Sequence, residues 1–136
     1  MRFYLTGNEE ARDNLGEMAK SAPRFAAQAL NRITELTLTD AVEQTPRDTG
    51  VLRGSAKVSK HATANSLSTR ITYGTDYALI VHESFARHHP PYGKGGNRKF
   101  LENAVNARSR TFVGDIAREM KHSQWLEAMV PSRHRR

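Results

Sequence analysis

The side chains best suited to chemistry lie between Asp76 and Lys99: His82-Glu83, His88-His89-Pro90-Pro91 and Gly93-Lys94-Gly95-Gly96. Imidazole and carboxylate are sound metal ligands. Their spacing here matches neither the His-Glu-x-x-His zinc helix nor two histidines paired on one helix face. A loop carrying two prolines would hold ligands poorly, so no metal is assigned, and His82 and Glu83 read as polar contacts closing an element. The glycine run has the look of a phosphate cradle. A P-loop, however, needs Gly-x-x-x-x-Gly-Lys followed by Ser or Thr, between a buried strand and a helix, and that context is missing. Asp48, Asp76 and Glu83 are the carboxylates to weigh for hydrolysis, yet nothing sets two of them side by side or pairs a nucleophile with a base. The chain reads as no enzyme, with no cofactor.

Charge is distributed unevenly. Residues 1–83 carry ten Lys/Arg and ten Asp/Glu, while 84–136 carry eleven against four, so the net charge of +7 belongs to the C-terminal part. Arg87, His88, His89, Lys94, Arg98 and Lys99 fall in a stretch without any acid, interleaved with Phe85 and Tyr92. Such a loop can contact a phosphate backbone and stack on bases, or meet an acidic protein surface. It can equally be a solvated loop. No helix-turn-helix, RNA-recognition or zinc-finger signature accompanies it. Pro131-Ser132-Arg133-His134-Arg135-Arg136 adds a second basic cluster.

The absence of cysteine excludes disulfides, zinc-thiolate sites, iron–sulfur clusters and thiol nucleophiles. No apolar run approaches the ~18 residues of a membrane span, and the N-terminus lacks a signal-peptide core, so folding in a cytoplasm without membrane contact is expected. At 136 residues one domain is expected over 1–122, with 123–136 as an extension ending in the basic tail. Hydrophobic residues make up 38% and mean hydropathy is -0.67, which fits a thin core finished against neighbours or a small domain with polar tails.

The elements that position these groups follow from periodicity. Phe3 and Leu5 alternate with polar residues over Met1–Gly7, predicting an edge strand, and Thr6 with Glu9 fits a capping box. A helix then runs to about Lys20 and meets Pro23, where either a kink or a fresh helix capped by Ser21 is expected. From Pro23 to Gln44 a single apolar stripe (Phe25, Ala26, Ala29, Leu30, Ile33, Leu36, Ala41, Val42) predicts a long helix ending before Pro46. Asp48-Thr49-Gly50 is turn chemistry. Leu52, Gly54, Ala56 and Val58 alternate as in a half-buried strand, and Leu67, Thr69, Ile71 and Tyr73 form a second after a polar hairpin loop. Tyr77–Val81 reads as a central strand by preference, or as one helical turn. Ser84–Arg98 is loop, and Lys99 to about His122 one helix, with Trp125, Leu126, Met129 and Val130 extending its apolar run. The fold class is α+β: a long N-terminal helix, kinked near Pro23, and a C-terminal helix on one face of a small antiparallel sheet.

Three segments stand in a meaningful order: Thr45-Pro46-Arg47-Asp48-Thr49-Gly50-Val51-Leu52-Arg53-Gly54-Ser55, then Tyr73-Gly74-Thr75-Asp76-Tyr77-Ala78 running on to Val81-His82-Glu83, then Lys99-Phe100-Leu101-Glu102 with Ala104. Together they resemble the tailed-bacteriophage neck and tail-component family, whose members are also called minor capsid, tail-completion or head-tail joining proteins. The resemblance covers about residues 40–107, and Phe3-x-Leu5-x-Gly7 is similar to the family's N-terminal strand. It implies a virion structural protein forming rings at the portal–tail junction or tail top, made in the host cytoplasm and able to stay monomeric until a growing virion offers a partner. Its partners would be further copies of itself, other neck and tail proteins, and packaged DNA in passing. The basic loop 84–98 would face the DNA channel or an acidic neighbour, and Pro46, Asp48, Thr49, Gly50, Leu52, Arg53, Ser55, Tyr77, Ala78, His82, Glu83, Phe100 and Leu101 would be structural motif residues. The competing readings are a basic nucleic-acid-binding domain not associated with virions, and a small hydrolase using His82, Glu83 and the loop histidines.

Overall fold

A computed structural model of the chain describes residues 9–47, 50–84, 96 and 98–129. The expected strand at Met1–Gly7 and its Thr6 cap, Asp48-Thr49, most of the basic loop and the basic tail lie outside the described residues. Helix α1 spans Glu9–Gln44, 36 residues with Pro23 inside, or about 54 Å at the α-helical rise. A fresh helix at Ser21 is not what forms. The helix continues through the proline, although its missing amide and ring clash oppose helix by roughly 3 kcal/mol, because α1 has helices α4 (Phe100–Ser109) and α5 (Phe112–Met129) packed along it. At its other end α1 stops two residues before Pro46, as the restriction on pre-proline residues requires.

Between α1 and α4 come a single helical turn, α2 (Val51–Gly54), a hairpin of β1 (Ala56–Lys60) and β2 (Arg70–Tyr73), and a short helix, α3 (Ala78–Glu83). The hairpin is antiparallel, with Ala56 opposite Tyr73 and Val58 opposite Ile71. A bulge lies between Val58 and Lys60. Ala56 and Val58 are half-buried and Lys57 and Ser59 exposed, the alternation expected of a sheet with one face on a core. Asn31 fastens the hairpin loop to α1: its Nδ2 donates to the Ala62 carbonyl at 3.0 Å, and its Oδ1 accepts from the Ala62 amide at 2.7 Å. About one turn further along α1, Thr34 shares a hydroxyl–hydroxyl bond of 2.8 Å with Thr69.

Three expected elements form differently. Leu52 and Gly54 do not open a strand. They lie in α2, where the Gly54 amide donates to the Gly50 carbonyl at 2.9 Å, and the strand begins only at Ala56. Tyr77–Val81 takes the helical alternative and not the preferred strand: the amides of Val81 and Ser84 donate to the carbonyls of Tyr77 and Ile80 at 3.0 and 2.9 Å. The C-terminal helix is two helices, interrupted at Arg110-Thr111, where Ser109 Oγ donates to the Asn106 carbonyl at 2.8 Å and Thr111 Oγ1 to Asp115 at 2.7 Å. Hydroxyls that bond nearby backbone compete with helix, and two hydroxyl residues flank this break.

Among the described residues the large buried apolar side chains are Phe25, Ile33, Leu52 and Phe100, joined by Ala27, Ala29, Ala41, Ala62 and Ala104. Alanines with no exposed surface at 41 and 104 let α1 and α4 lie close together. Arg108 then ties the pair, with Nε and Nη2 at 3.0 and 2.6 Å from one Asp40 oxygen. No helix among the described residues is long and apolar enough to cross a membrane.

Candidate functional site

The motif residues, dispersed over about sixty positions of sequence, converge around one side chain, Phe100, which is 1% exposed. Tyr73 meets it edge-on with ring centroids 5.0 Å apart, and His82 does the same from another side at 4.9 Å. Offset and edge-on aromatic pairs are the favoured arrangements for rings of like quadrupole.

Each neighbour of Phe100 is held from a different motif. Thr45, fully buried at the end of α1, donates its hydroxyl to the Ala41 carbonyl at 2.7 Å and lies 2.9 Å from the Tyr73 hydroxyl. With Thr45 donating to Ala41, Tyr73 is the donor of the pair. Burial is the main cause that raises the Tyr73 phenol above its ordinary 10.0, and the Arg53 charge opposes it. Arg53 reaches back over the same helix end: Nε donates to the Thr45 carbonyl at 2.7 Å and Nη2 to the Glu43 carbonyl at 3.1 Å. The last turn of α1 contains no basic residue. Arg53 supplies from outside the helix the cation and donors that its orphan carbonyls need.

Gly50 makes that return possible. Its φ of 87° and ψ of -6° lie in the left-handed region, which costs a side-chain-bearing residue energy and glycine none. Ser55 closes the turn by donating Oγ to the Leu52 carbonyl at 2.7 Å, and its own carbonyl accepts from the Gly74 amide at 3.3 Å, joining the first motif to the second. Leu52 is buried beneath, Pro46 half-buried. Tyr77 and Ala78 begin α3, Tyr77 largely exposed and Ala78 half-buried.

The second motif meets the third through His82. Its carbonyl accepts from the Lys99 amide at 2.7 Å, its Nδ1 is 2.8 Å from Glu83 Oε1, and its Nε2 faces the Glu102 amide at 3.5 Å. If Nε2 accepts from that amide, Nδ1 carries the proton and donates to Glu83. The imidazole is engaged on both nitrogens and set edge-on to Phe100. Lys99 adopts φ 54°, the one positive φ among described non-glycine residues, and α4 starts immediately after it. Its ammonium is 2.7 Å from Glu102 and 3.9 Å from Glu83. The Glu102 hydrogen bond and charge are the chief causes that raise the Lys99 pKa, and the same bond leads those that lower Glu102. Leu101 is half-buried one position on, and Arg98, exposed, gives its carbonyl to Asn103 Nδ2 at 3.0 Å.

Gly96 is the one described residue of the glycine-rich run. A Cβ there would sit 2.6 Å from the Pro46 nitrogen and 2.8 Å from its Cγ. At position 96 the absence of a side chain lets the backbone lie against Pro46. Arg87, His88, His89, Tyr92, Lys94, Asp48 and Thr49 lie outside the described residues. Asp76 is exposed. Sequence reading missed Asn31, Asp40 and Arg108. Their partners are 31 and 68 positions away, beyond any spacing rule.

What converges here is a junction of structural bonds: each hydroxyl, guanidinium and imidazole closes a helix end or joins two segments. The fold they hold together is α+β, and comparison with known proteins gives its family. Residues 9–82, more than half the chain, match the family described as "Bacteriophage HK97-gp10, putative tail-component", and the chain belongs to that family. No curated protein and no solved structure matches it. The matched segment ends at His82, the residue through which the structure joins it to Lys99 and Phe100.

Proposed function

We propose that this tail component is a ring subunit of the phage neck or tail top, completing the tail and joining it to the head. The observation that carries the reading is the apolar surface that the described residues leave uncovered. Leu79 and Ile80 on α3 are 71% and 72% exposed, and Val113 on α5 is 81% exposed. Exposed large apolar side chains clustered on one short helix are what a subunit keeps for its neighbours. A ring uses unlike faces of each copy, and closes when the rotation between copies permits. The basic residues Arg87, Lys94 and Arg98 with His88, His89 and Tyr92 then serve contact with DNA passing through the ring, or with an acidic neighbour in the stack. His82 and Glu83 serve the Phe100 junction and perform no hydrolysis. The chain assembles in the host cytoplasm and resides in the virion.

The test is genetic. Phage lacking this gene should yield filled heads and separate tails, with infectivity restored by the protein supplied in trans. Joined, infectious particles made without it would refute the reading.

A further inference from the structure

Beside the exposed α3 surface, the molecule carries an open apolar groove of about 570 Å³ between α1, β2 and the α4–α5 turn. Ile33, Ile71, Leu101, Val105 and Phe112 line it, and Val105 and Phe112 remain 46% and 39% exposed. Apart from Arg70, the charged and threonine side chains in its wall are already used. Thr34 and Thr37 donate to the carbonyls of Leu30 and Ile33 at 2.8 Å, Thr69 is bonded to Thr34, and Arg108 is bonded to Asp40. A wall with its hydrogen bonds satisfied internally offers little to a polar ligand and much to an apolar one. No residue of α3 lines the groove.

Charge identifies the occupant. Arg70 stands at the groove, and among the described residues its guanidinium has no ion pair. Asp76 lies three positions before Leu79, exposed, and its carboxylate also has no ion pair among them. The acid flanks the apolar knob and the base flanks the apolar groove. Resting on the ring reading above, we infer that α3 of one copy seats Leu79 and Ile80 in the groove of the next, with Asp76 meeting Arg70 across the contact. Knob and groove are different surfaces, so the contact is heterologous and propagates around a ring until it closes. Opposite charges at the edge of an apolar contact fix its register and speed encounter more than they add affinity.

The native chain has no cysteine, which makes disulfide trapping clean. Full-length Leu79→Cys and Val105→Cys proteins, both altered at exposed positions, are mixed and oxidised at high concentration, and circular dichroism verifies that they are folded. The expected result is a severalfold excess of mixed dimer over a control mixture of Leu79→Cys with Arg118→Cys. Asp76→Arg in the first partner should remove the excess, and Arg70→Asp in the second should restore it. The double variant Leu79→Cys/Val105→Cys should give a ladder ending in one closed species. Dimers that stop at two, joined reciprocally, would keep the docking contact and overturn the ring. Rings of native protein seen by native mass spectrometry without the mixed dimer would keep the ring and overturn the contact. An intramolecular bond in Phe3→Cys/Val105→Cys, showing the chain's own N-terminal segment in the groove, would also overturn it.

Discussion

Thr45 and Tyr73 show at residue scale what the motif residues are for. One hydroxyl ends a helix and the other spans from the hairpin to reach it, 28 positions away in sequence. Neither is poised to attack anything: Thr45 is fully buried and its oxygen already has two partners. The raised phenol of Tyr73 has a measurable consequence. Below pH 10 the ring is neutral in folded and unfolded chains alike, so its contribution to stability is fully present. As pH rises past 10.0 the unfolded phenol ionises first, and the contribution is lost on the way through the folded value. Tyr73→Phe should therefore lower stability by about 1 kcal/mol at neutral pH through the lost hydrogen bond. The gap to the native protein should narrow above pH 10. Denaturant melts of both proteins at neutral pH and above pH 10 read this directly, and a gap independent of pH would contradict the assignment.

At the scale of elements, the turn that connects α1 to the sheet holds two glycines that behave oppositely. Gly50 needs its left-handed backbone, and a Cβ there would meet nothing within 4 Å, so Gly50→Ala costs roughly 1–2 kcal/mol from conformation alone. Gly54 ends α2, likewise has open space and needs no positive φ, so Gly54→Ala stabilises by roughly 0.4–1 kcal/mol. Chemical denaturation midpoints moving in opposite directions would verify this; two destabilised variants would contradict it. The same turn explains where reading by periodicity failed. Alternation over Leu52, Gly54, Ala56 and Val58 fits a strand, but the left-handed residue at 50 sets up a helical turn, and only the second half of the pattern is sheet. In α3 the apolar run Tyr77–Val81 fits a buried strand or a helical turn; the helical turn forms, and the exposure of Leu79 and Ile80 shows that an apolar run by itself carries no signal of burial. The helix of Pro23–Gln44, its stop before Pro46 and the β1–β2 hairpin were legible because local rules suffice for them. The convergence on Phe100 was legible only as an order of motifs, since the aromatic contacts that create it are tertiary.

For the whole molecule, the described residues leave large apolar side chains uncovered on α3, α4 and α5. Of the polar residues that first suggested chemistry, His82 and Glu83 are engaged in the Phe100 junction, where α1, the hairpin, α3 and α4 meet. Internal bonding there and apolar surface elsewhere suit a piece of a larger machine. The +7 charge, concentrated after residue 83, suits the same machine if DNA runs through it. The most direct measurement is an electron-microscopy reconstruction of the phage particle at side-chain detail. The account predicts this chain in a closed ring at the top of the tail, α3 of each copy seated against its neighbour and the basic loop turned to the DNA channel or an acidic neighbour. A mature particle in which the chain is missing, or present without contact between its copies, would contradict it.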